Sequence, residues 1–295
     1  MAKRIWLDGK LVDSQQACIN VFDHGVLYGD GVFEGLRQYA GRVFKLDEHL
    51  RRLFDSAKSI RLPIPYSREQ LAQAISETTA ANELTDSYIR LVVTRGMGAL
   101  GISPLNCAKP TVVIIADSIK MYSEETYRSG MAIITASTIR TSPAALSPKI
   151  KSLNYLNNIM AKWEAIDAGV SEAVMLNQHG YVCECTADNI FIVRDGVVFT
   201  PPEESGILLG ITRGTVIELA ARNEIQVRQV NLTRHDLYTA DECFLTGTGA
   251  EIVPVTSIDR RAVGDGYVGP VTRLLTDAFR QEVRTPAPSP IAAGV

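Results

Sequence analysis

The order of apolar and polar positions in the N-terminal part of the chain predicts strands and two helices. The segment "DEHLRRLFDSAKSIRL", residues 47–62, has apolar residues at the spacing of one helix face, namely Leu50, Leu53, Phe54, Ala57 and Ile60. Asp47 is the expected N-cap of this helix. A second helix is predicted at 68–84, and the segments 87–95 and 110–117 are rich in β-branched residues, as buried strands are.

Beyond residue 117 the polar segment "SIKMYSEETYRSG" interrupts this pattern, and strands and helices are then mixed along the chain. Strands are predicted at 131–140 and within 172–200, and helices at 154–169, 212–224 and 269–283. The first of these helices is amphipathic, with an apolar stripe formed by Leu156, Ile159, Met160, Trp163 and Ile166.

These patterns predict an α+β protein of two domains. A smaller N-terminal α/β domain is expected at 1–117, an interdomain linker at 118–128 and a larger C-terminal domain at 129–285. The Pro- and Ala-rich end of the chain, 286–295, is expected to be a flexible tail.

Composition narrows the functional classes. The 295 residues are 46% hydrophobic and 21% charged, with a net charge of −3, so nothing favours binding to nucleic acid or to an anionic membrane. No stretch reaches 18 uninterrupted apolar residues, and the start of the chain lacks the apolar run of a signal peptide. Five scattered cysteines fit a reducing compartment, so a cytoplasmic protein is expected, and four unclustered histidines predict no metal site.

The segment "GMGALG", residues 96–101, matches a dinucleotide-binding pattern after a predicted strand. Only "ISPLNCAKP" separates it from the next strand, whereas a parallel crossover needs about a dozen residues and usually a helix. Two prolines in this segment disfavour that helix. A glycine-rich turn between antiparallel strands is therefore the preferred interpretation.

Two residues raise the question of chemistry. Lys151 precedes the helix at 154–169 and is not part of its apolar stripe. A solvated lysine in a loop would show the same pattern. Glu184 lies in the strand-like segment "YVCECTADNIF", where a carboxylate needs a cationic or hydrogen-bonded partner unless it faces water at a sheet edge.

Two glycine-containing turns could bind an anion. Gly210 precedes a helix expected to start at Thr212, where free backbone N–H groups and the helix dipole converge. Thr248 offers a hydroxyl in the turn of "LTGTGAE". Taken separately, each is more simply an ordinary cap or turn. Together with Lys151 and Glu184, however, they are candidates for the groups that an enzyme needs to hold the aldehyde, ring nitrogen and phosphate of pyridoxal phosphate.

Several segments in order resemble one family. The segments "KSLNYLNNIMAKWEA", "ECTADNIF", "FTPPEESGILLGITR" and "GTGAEIVPV", with "FDHGVLYGDGVFEG" and "EHLRRLFDSAK" before them, closely resemble the class IV, branched-chain type, pyridoxal phosphate aminotransferases. The resemblance extends to about residue 284. It implies the two-domain fold type IV, also called D-amino-acid aminotransferase-like, with pyridoxal 5′-phosphate as the cofactor.

The resemblance implies roles for the cofactor side of the site. Lys151 would bind the cofactor covalently and then move the proton, and Glu184 would keep the pyridine nitrogen protonated. Tyr155 would hydrogen-bond the phenolic oxygen. The phosphate would be bound by Arg52 rather than Arg51, by the backbone around Gly210, Ile211 and Thr212, and by Thr248.

The resemblance also implies a substrate side. The residues expected there are Tyr28, Phe33, Tyr88, Arg90, and the backbone of Gly249 and Ala250. Arg95 is a second candidate for the substrate carboxylate, and the sequence does not choose between it and Arg90, although strand alternation puts the two on opposite faces. The apolar residues Val26, Leu27, Val32 and Phe33 suggest a pocket for aliphatic side chains.

The implied reaction is transamination of L-leucine, L-isoleucine and L-valine with 2-oxoglutarate. The alternatives are a D-amino-acid aminotransferase or an aminodeoxychorismate lyase. The D-specific enzymes carry an Arg-x-His pair downstream of "VTRG", where this chain reads "GMGALGISPLN". A non-catalytic protein would be expected to lack Lys151 or Glu184. The resemblance implies amino acids, 2-oxo acids and a homodimer or larger homo-oligomer as partners.

Overall fold

The protein folds around two β-sheets, one in each half of the chain. The structure is a computed structural model that describes residues 3–285. The tail predicted at 286–295 lies outside the described residues.

The N-terminal half forms a six-stranded antiparallel sheet. Its strands are β1 (Arg4–Leu7), β2 (Lys10–Asp13), β3 (Gly31–Tyr39), β4 (Arg42–Val43), β5 (Ser87–Thr94) and β6 (Thr111–Asp117). They lie in the order β2-β1-β6-β5-β3-β4. The helices of this half are α1 (His24–Tyr28), α2 (Leu46–Ser59) and α3 (Arg68–Ala81).

Helix α2 confirms the helix predicted at 47–62. Leu50, Leu53 and Ala57 of its apolar stripe are buried and pack against strand β5 in one core. The predicted N-cap is wrong: α2 begins at Leu46 after Lys45, and Asp47 lies inside the first turn. There its carboxylate faces the positive end of the helix dipole instead of capping it.

The glycine-rich segment 96–101 joins β5 to β6, which are antiparallel neighbours. The predicted turn between antiparallel strands is therefore confirmed, and the parallel crossover of a dinucleotide-binding unit is not formed. Gly96 has φ +88°, and a Cβ atom there would lie 1.7 Å from the carbonyl oxygen of Lys109. Only glycine fits this position.

The C-terminal half forms a nine-stranded mixed sheet. Its strands are β7 (Met131–Thr135), β8 (Glu172–Leu176), β9 (Val182–Cys185), β10 (Asn189–Arg194), β11 (Val197–Thr200), β12 (Val227–Gln229), β13 (Glu242–Gly247), β14 (Glu251–Ile258) and β15 (Arg261–Ala262). The order is β12-β11-β10-β13-β14-β7-β8-β9, and β15 pairs with β14. Strand β7 runs parallel to β8 and β14, and β11 runs parallel to β12.

Five helices accompany this sheet and confirm the α+β prediction. They are α4 (Glu124–Ser129), α5 (Leu156–Asp167), α6 (Ile211–Arg222), α7 (Arg234–Tyr238) and α8 (Pro270–Arg284). The strand predicted at 131–140 is shorter, ending at Thr135, and α4 lies across the end of the predicted linker at 118–128. Among residues 3–285, no helix is both long and apolar enough to cross a membrane.

Helix α5 is present where it was predicted, but its apolar stripe faces outward. The five stripe residues Leu156, Ile159, Met160, Trp163 and Ile166 are between 48% and 69% exposed. The buried face consists of Asn158, Ala161 and Ala165. Because alanine is small, the helix lies close to the sheet, where both alanines pack in one core with Met175.

Helix α8 is capped by a buried glutamate of strand β13. Its N-cap is Gly269, which has no side chain to offer, and Glu242 accepts hydrogen bonds from the backbone N–H groups of Val271 (3.1 Å) and Thr272 (2.7 Å). The Thr272 hydroxyl also donates to Glu242, at 2.6 Å. A carboxylate at this end of a helix is favoured by the helix dipole.

We expect Glu242→Ala to lower the free energy of unfolding by about 2 kcal/mol, because it leaves two backbone donors at the start of α8 without partners. The measurement is urea unfolding followed by circular dichroism. Glu282→Gln is the control, since it removes only a partly exposed ion pair with Arg222 and should cost less than about 0.5 kcal/mol. Equal losses in the two variants would contradict the capping role.

Candidate active site

A cavity of about 520 Å³ lies between the two sheets. Most of the site residues expected from the sequence line it. These are Phe33, Arg52, Tyr88, Arg90, Lys151, Tyr155, Glu184, Gly210, Ile211, Thr212, Thr248, Gly249 and Ala250.

Lys151 lies in the segment before α5, with its side chain partly buried in the cavity. Its Nζ is 3.2 Å from the hydroxyl of Tyr155 and 4.5 Å from the ring centre of Phe33. Burial, together with the nearby Arg52 guanidinium, lowers the pKa of Lys151 to about 8. Its amine is therefore much closer to its free-base form at neutral pH than a solvated lysine, and the solvated-loop alternative is excluded.

Tyr155 is the N-cap residue of α5, and its ring packs edge-to-face on Phe33 with the ring centres 5.1 Å apart. Burial raises the pKa of Tyr155 to about 12, with a further contribution from the Glu184 carboxylate. The hydroxyl therefore stays protonated at neutral pH. It can donate a hydrogen bond to an oxygen of a ligand that lies beside Lys151.

Glu184, in β9, is 5% exposed, which rules out the water-facing alternative. One of its carboxylate oxygens accepts from Arg140 Nε at 3.0 Å. The other accepts from the backbone N–H of Leu208 at 2.9 Å and from the amide of Asn189 at 3.3 Å. Burial raises the pKa of Glu184, while Arg140 acts in the opposite direction.

Arg140 was missed by the sequence reasoning, which assigned it to the end of a strand. It lies in the loop after β7, and this loop is held by Glu164 of α5. The Glu164 carboxylate accepts from the backbone N–H groups of Ser137 and Thr138, at 2.6 and 2.9 Å, and from both hydroxyls. The requirement of a buried carboxylate for a cation was the only signal in the sequence for such a partner.

The N-terminus of α6 provides an anion site. Gly210 is the N-cap, and its lack of a side-chain cap leaves the first backbone N–H groups of the helix, at Ile211 and Thr212, facing the cavity. Thr248 lies in the turn after β13, also on the cavity wall. A phosphate group fits donors of this kind.

Gly210 is also required by close packing. A Cβ atom there would lie 2.1 Å from the side-chain oxygen of Asn189. The amide of the same Asn189 donates to the carbonyl of Leu208 at 2.9 Å as well as to Glu184. One asparagine therefore joins the anion site to the buried carboxylate.

Arg52 of α2 completes this group of donors. It lines the cavity, whereas the neighbouring Arg51 is exposed. Its Nη1 donates to the carbonyl of Leu209 at 2.8 Å, next to the start of α6.

The opposite part of the cavity presents a basic and aromatic wall. The guanidinium of Arg90 lies 4.5 Å from the ring centre of Phe33 and 5.4 Å from that of Tyr88. Gly249 and Ala250 belong to the turn that carries Thr248. Arg37 of β3 donates to the carbonyl of Gly249 at 2.8 Å and so fixes this turn from the first sheet.

Arg95 does not line the cavity, and its expected role as a carboxylate anchor is not supported. Its Nε and Nη2 donate to the two carboxylate oxygens of Asp30, at 2.8 and 2.9 Å. The remaining bonds go to the carbonyls of Ile60 and Arg61. The side chain is 8% exposed, so this ion pair has a structural role at the end of α2.

Tyr28 is likewise outside the cavity of its own chain. It is 38% exposed, and its hydroxyl accepts from the backbone N–H of Gly101 at 2.8 Å. Val26 is also on the surface, and Val32 is fully buried in the core of the first sheet. Of the apolar residues proposed for the pocket, Phe33 alone is among those that line it.

The aliphatic wall comes instead from residues that the sequence analysis did not single out. They are Val92, Ile119, Met121, Leu153, Ile159 and Leu208. Asp188 lies in the cavity as well, and burial raises its pKa to about 7, with a contribution from Glu172. Ile119 and Met121 belong to the predicted linker. The apolar residues of this segment have no regular spacing, so the sequence did not predict their place in the cavity.

Comparisons with known proteins agree with this site. The sequence profile of "Amino-transferase class IV" matches residues 31–258. A Methanocaldococcus jannaschii relative, named only provisionally as a branched-chain-amino-acid aminotransferase, is 51% identical over 96% of both chains. The Pseudomonas aeruginosa branched-chain-amino-acid aminotransferase is 40% identical over 93% of this chain and 91% of its own.

Solved structures share the fold. The crystal structure of the Escherichia coli branched-chain amino acid aminotransferase superposes with a TM-score of 0.92, at 38% identity, over 95% of this chain and 94% of that one. A T.th. branched-chain amino acid aminotransferase with pyridoxamine 5′-phosphate also has a TM-score of 0.92, at 39% identity over 96% of this chain and 94% of that one. The predicted fold type is confirmed, and the chain belongs to the class IV aminotransferases.

Proposed function

We propose that this enzyme transfers the amino group of L-leucine, L-isoleucine or L-valine to 2-oxoglutarate, giving branched-chain 2-oxo acids and L-glutamate. One observation carries the proposal: a lysine of lowered pKa, a buried carboxylate and a helix N-terminus meet in a single cavity with aliphatic walls. The named relatives from P. aeruginosa and E. coli are branched-chain-amino-acid aminotransferases, and the likeness covers more than nine-tenths of this chain.

The cavity fits pyridoxal 5′-phosphate. The start of α6 and Thr248 offer donors for a phosphate, Glu184 offers a carboxylate for a ring N–H, and Lys151 offers an amine for the aldehyde. When bound, this cofactor supplies an electrophilic carbon and a protonated ring that accepts electrons from the substrate.

Lys151 is the residue to which we assign proton transfer. Its Nζ would hold the cofactor, and after release it would take the proton from the α-carbon of the amino acid. A general base works best when its pKa is close to the working pH, and the lowered pKa of about 8 fits that requirement. The Tyr155 hydroxyl, at 3.2 Å, orients the amine.

Glu184 is the residue that would keep the ring nitrogen protonated. Its two oxygens accept from Arg140, Asn189 and the backbone of Leu208, so the carboxylate is fixed in one orientation before any ligand binds. A group fixed in advance does not have to reorganise when charge develops during the reaction.

Arg90 is our candidate for the substrate carboxylate, since Arg95 is engaged by Asp30. Arg90 is partly buried, lines the cavity and stands beside Tyr88. The backbone of Gly249 and Ala250 would complete the carboxylate site. Every amino acid and 2-oxo acid in the proposed reaction has this carboxylate, whereas the aliphatic wall distinguishes the side chains.

The reducing cytoplasm is the proposed compartment. The five cysteines, all within residues 3–285, form no disulfide, and three of them are buried. The net charge of −3 gives no general attraction to nucleic acid. Small substrates and further copies of the chain are therefore the proposed partners.

A homodimer or larger homo-oligomer would cover the exposed apolar face of α5. A second exposed apolar group lies in the segments 19–28 and 97–105, and its members include Val21, Phe22, Leu100, Ile102 and Leu105. Apolar patches of this kind usually mark interfaces. Ile159 of the α5 face also lines the cavity, so the proposed interface would lie beside the active site.

We expect the protein to be at least a dimer in solution, and Trp163→Glu combined with Ile166→Glu to lower its mass, because charges in an apolar interface are unfavourable. Light scattering after size-exclusion chromatography measures the mass. Lys58→Glu, an equivalent charge on the exposed side of α2, should leave it unchanged. A monomeric parent protein would rule the proposal out.

The substrate proposal predicts that L-leucine, L-isoleucine and L-valine each convert the bound cofactor to its amine form and that 2-oxoglutarate restores the aldehyde form. Visible absorption during single half-reactions measures both steps. The three aliphatic substrates should differ by no more than about 200-fold in rate, because one methylene in an apolar pocket contributes about 1–3 kcal/mol. Lys151→Ala should lose nearly all turnover, and peptide mapping after borohydride reduction should find the cofactor on Lys151 and not on Lys149.

Faster conversion by D-alanine or D-glutamate than by L-leucine would favour the D-amino-acid aminotransferase instead. Cofactor on Lys149 would overturn the assignment of the lysine.

The pH dependence of Lys151 gives a separate test. In the cofactor-free protein, reaction of Lys151 with an acylating reagent should rise with pH, reach its midpoint near pH 8 and then level off, because only the free amine reacts. Competitive labelling read by mass spectrometry measures this, with the exposed Lys149 as an internal reference. A Lys151 profile that keeps rising to the usual lysine range, near pH 10.5, would contradict the lowered pKa.

A further inference from the structure

We propose that Glu34 is a positioning residue, which fixes Arg52 in the orientation needed to bind the phosphate of the cofactor. The inference rests on the proposed role of Arg52. Glu34 belongs to β3, where its neighbours Phe33 and Gly35 line the cavity. Because side chains alternate along a strand, Glu34 projects to the opposite face, and it is completely buried there.

Much of the core around Glu34 is apolar. Val32 and Leu36, on the same face of β3, belong to the core that also includes Leu50 and Leu53 of α2. An isolated carboxylate in such a core would be strongly unfavourable. A charge retained at this position therefore needs a partner, and that partner is Arg52.

Glu34 binds Arg52 through both carboxylate oxygens. One accepts from Nε at 2.6 Å and the other from Nη2 at 2.8 Å. This two-point contact fixes the plane and direction of the guanidinium, which a single bond would leave free to turn. The third bond of Arg52, from Nη1 to the carbonyl of Leu209, ties it to the segment that leads into α6.

Arg52 keeps two N–H donors that are free to bind a ligand. A guanidinium carries five N–H groups. Three of those on Arg52 are used by Glu34 and Leu209, which leaves one on each terminal nitrogen. Arg52 lines the cavity together with Gly210 and Ile211, so the two remaining donors are available to a phosphate bound there.

His49 forms a further hydrogen bond with the Glu34 carboxylate. Its Nδ1 lies 2.8 Å from the same Glu34 oxygen that meets Arg52 Nη2, and the ring is buried. Burial lowers the pKa of His49, so the ring is neutral and donates through an Nδ1–H group at neutral pH. Burial alone would raise the pKa of Glu34, but Arg52 and His49 lower it to about 2, so Glu34 stays charged.

A purely structural role is the competing explanation, since the Glu34 contacts also join β3 to α2. The two explanations differ in what they predict for the phosphate. A structural link would affect binding of every form of the cofactor, whereas a positioning role affects only the forms that carry a phosphate.

The experiment compares the affinity of the cofactor-free protein for pyridoxal 5′-phosphate with its affinity for pyridoxal, which lacks the phosphate. The ratio of the two dissociation constants reports the contribution of the phosphate alone. It is measured by absorbance titration for the parent protein, Glu34→Gln, Arg52→Gln and the double variant. Glu48→Gln is the control, since Glu48 is a partly exposed carboxylate on α2 that pairs with Lys45 and not with Arg52.

We expect Glu34→Gln to reduce the ratio by about 10- to 100-fold, because the amide cannot accept from both guanidinium nitrogens. In the Arg52→Gln background, the same change should have no further effect, since Glu34 acts through Arg52. Glu48→Gln should match the parent protein.

Each other outcome has a definite meaning. An unchanged ratio in Glu34→Gln, with a reduced ratio in Arg52→Gln, overturns the positioning role but leaves the phosphate site intact. An unchanged ratio in Arg52→Gln overturns the assignment of the phosphate site itself. Equal weakening of both ligands by Glu34→Gln would show a structural role only.

If Glu34→Gln does not fold, Glu34→Asp replaces it. Aspartate keeps the charge at this position but is one methylene too short to make both contacts with Arg52. The positioning role then requires a reduced ratio, and an unchanged ratio overturns it.

Discussion

The arrangement of the site depends on a short backbone contact between the lysine segment and the first sheet. The N–H of Phe33 donates to the carbonyl of Lys151 at 2.9 Å, and the N–H of Leu153 donates to the carbonyl of Gly31 at 3.0 Å. The N–H of Lys151 donates to the hydroxyl of Ser56 on α2. The lysine is thus held by the N-terminal half, although it lies between β7 and α5 in the chain.

Two of the other groups in the cavity are held by the C-terminal half. Glu184 belongs to β9, and the anion site is the start of α6. The cavity therefore exists only while the two halves stay packed together. Arg37 and Tyr39 of β3 contribute to this packing through bonds to Gly249 and to the carboxylate of Glu251.

The sequence predicted most of the chemistry and least of the surroundings. Lys151, Glu184 and the turn at Gly210 stood out as candidates from the local pattern, and the family resemblance gave them roles. Arg140 and Asp30 could not, since a charged residue in a loop gives no sign of the distant residue it will bind. Pairing between residues distant in the chain is determined by the fold, and the local spacing of apolar residues does not predict it.

The same reason explains why the surroundings of α5 and of Arg95 could not be predicted. The stripe of α5 has the correct helical spacing, but spacing alone does not tell whether water, a sheet or another chain covers it. Its inner face is alanine, which has little hydrophobic signal and allows the closest packing. Arg95 was a candidate for binding the substrate carboxylate because it is basic and near a strand end. In the folded protein it forms an ion pair with Asp30 instead.

The contact between Gly210 and Asn189 has a consequence for how this family can vary. A larger residue at 210 collides with the Asn189 side chain, so it is tolerated only after residue 189 has become smaller. A smaller residue at 189, however, removes the amide that bonds both Glu184 and the Leu208 carbonyl. Neither residue can be replaced first without losing one of these contacts, so Gly210 and Asn189 should be retained together over long evolutionary times. Sequence change should be confined to neighbouring residues that contact only one of the two.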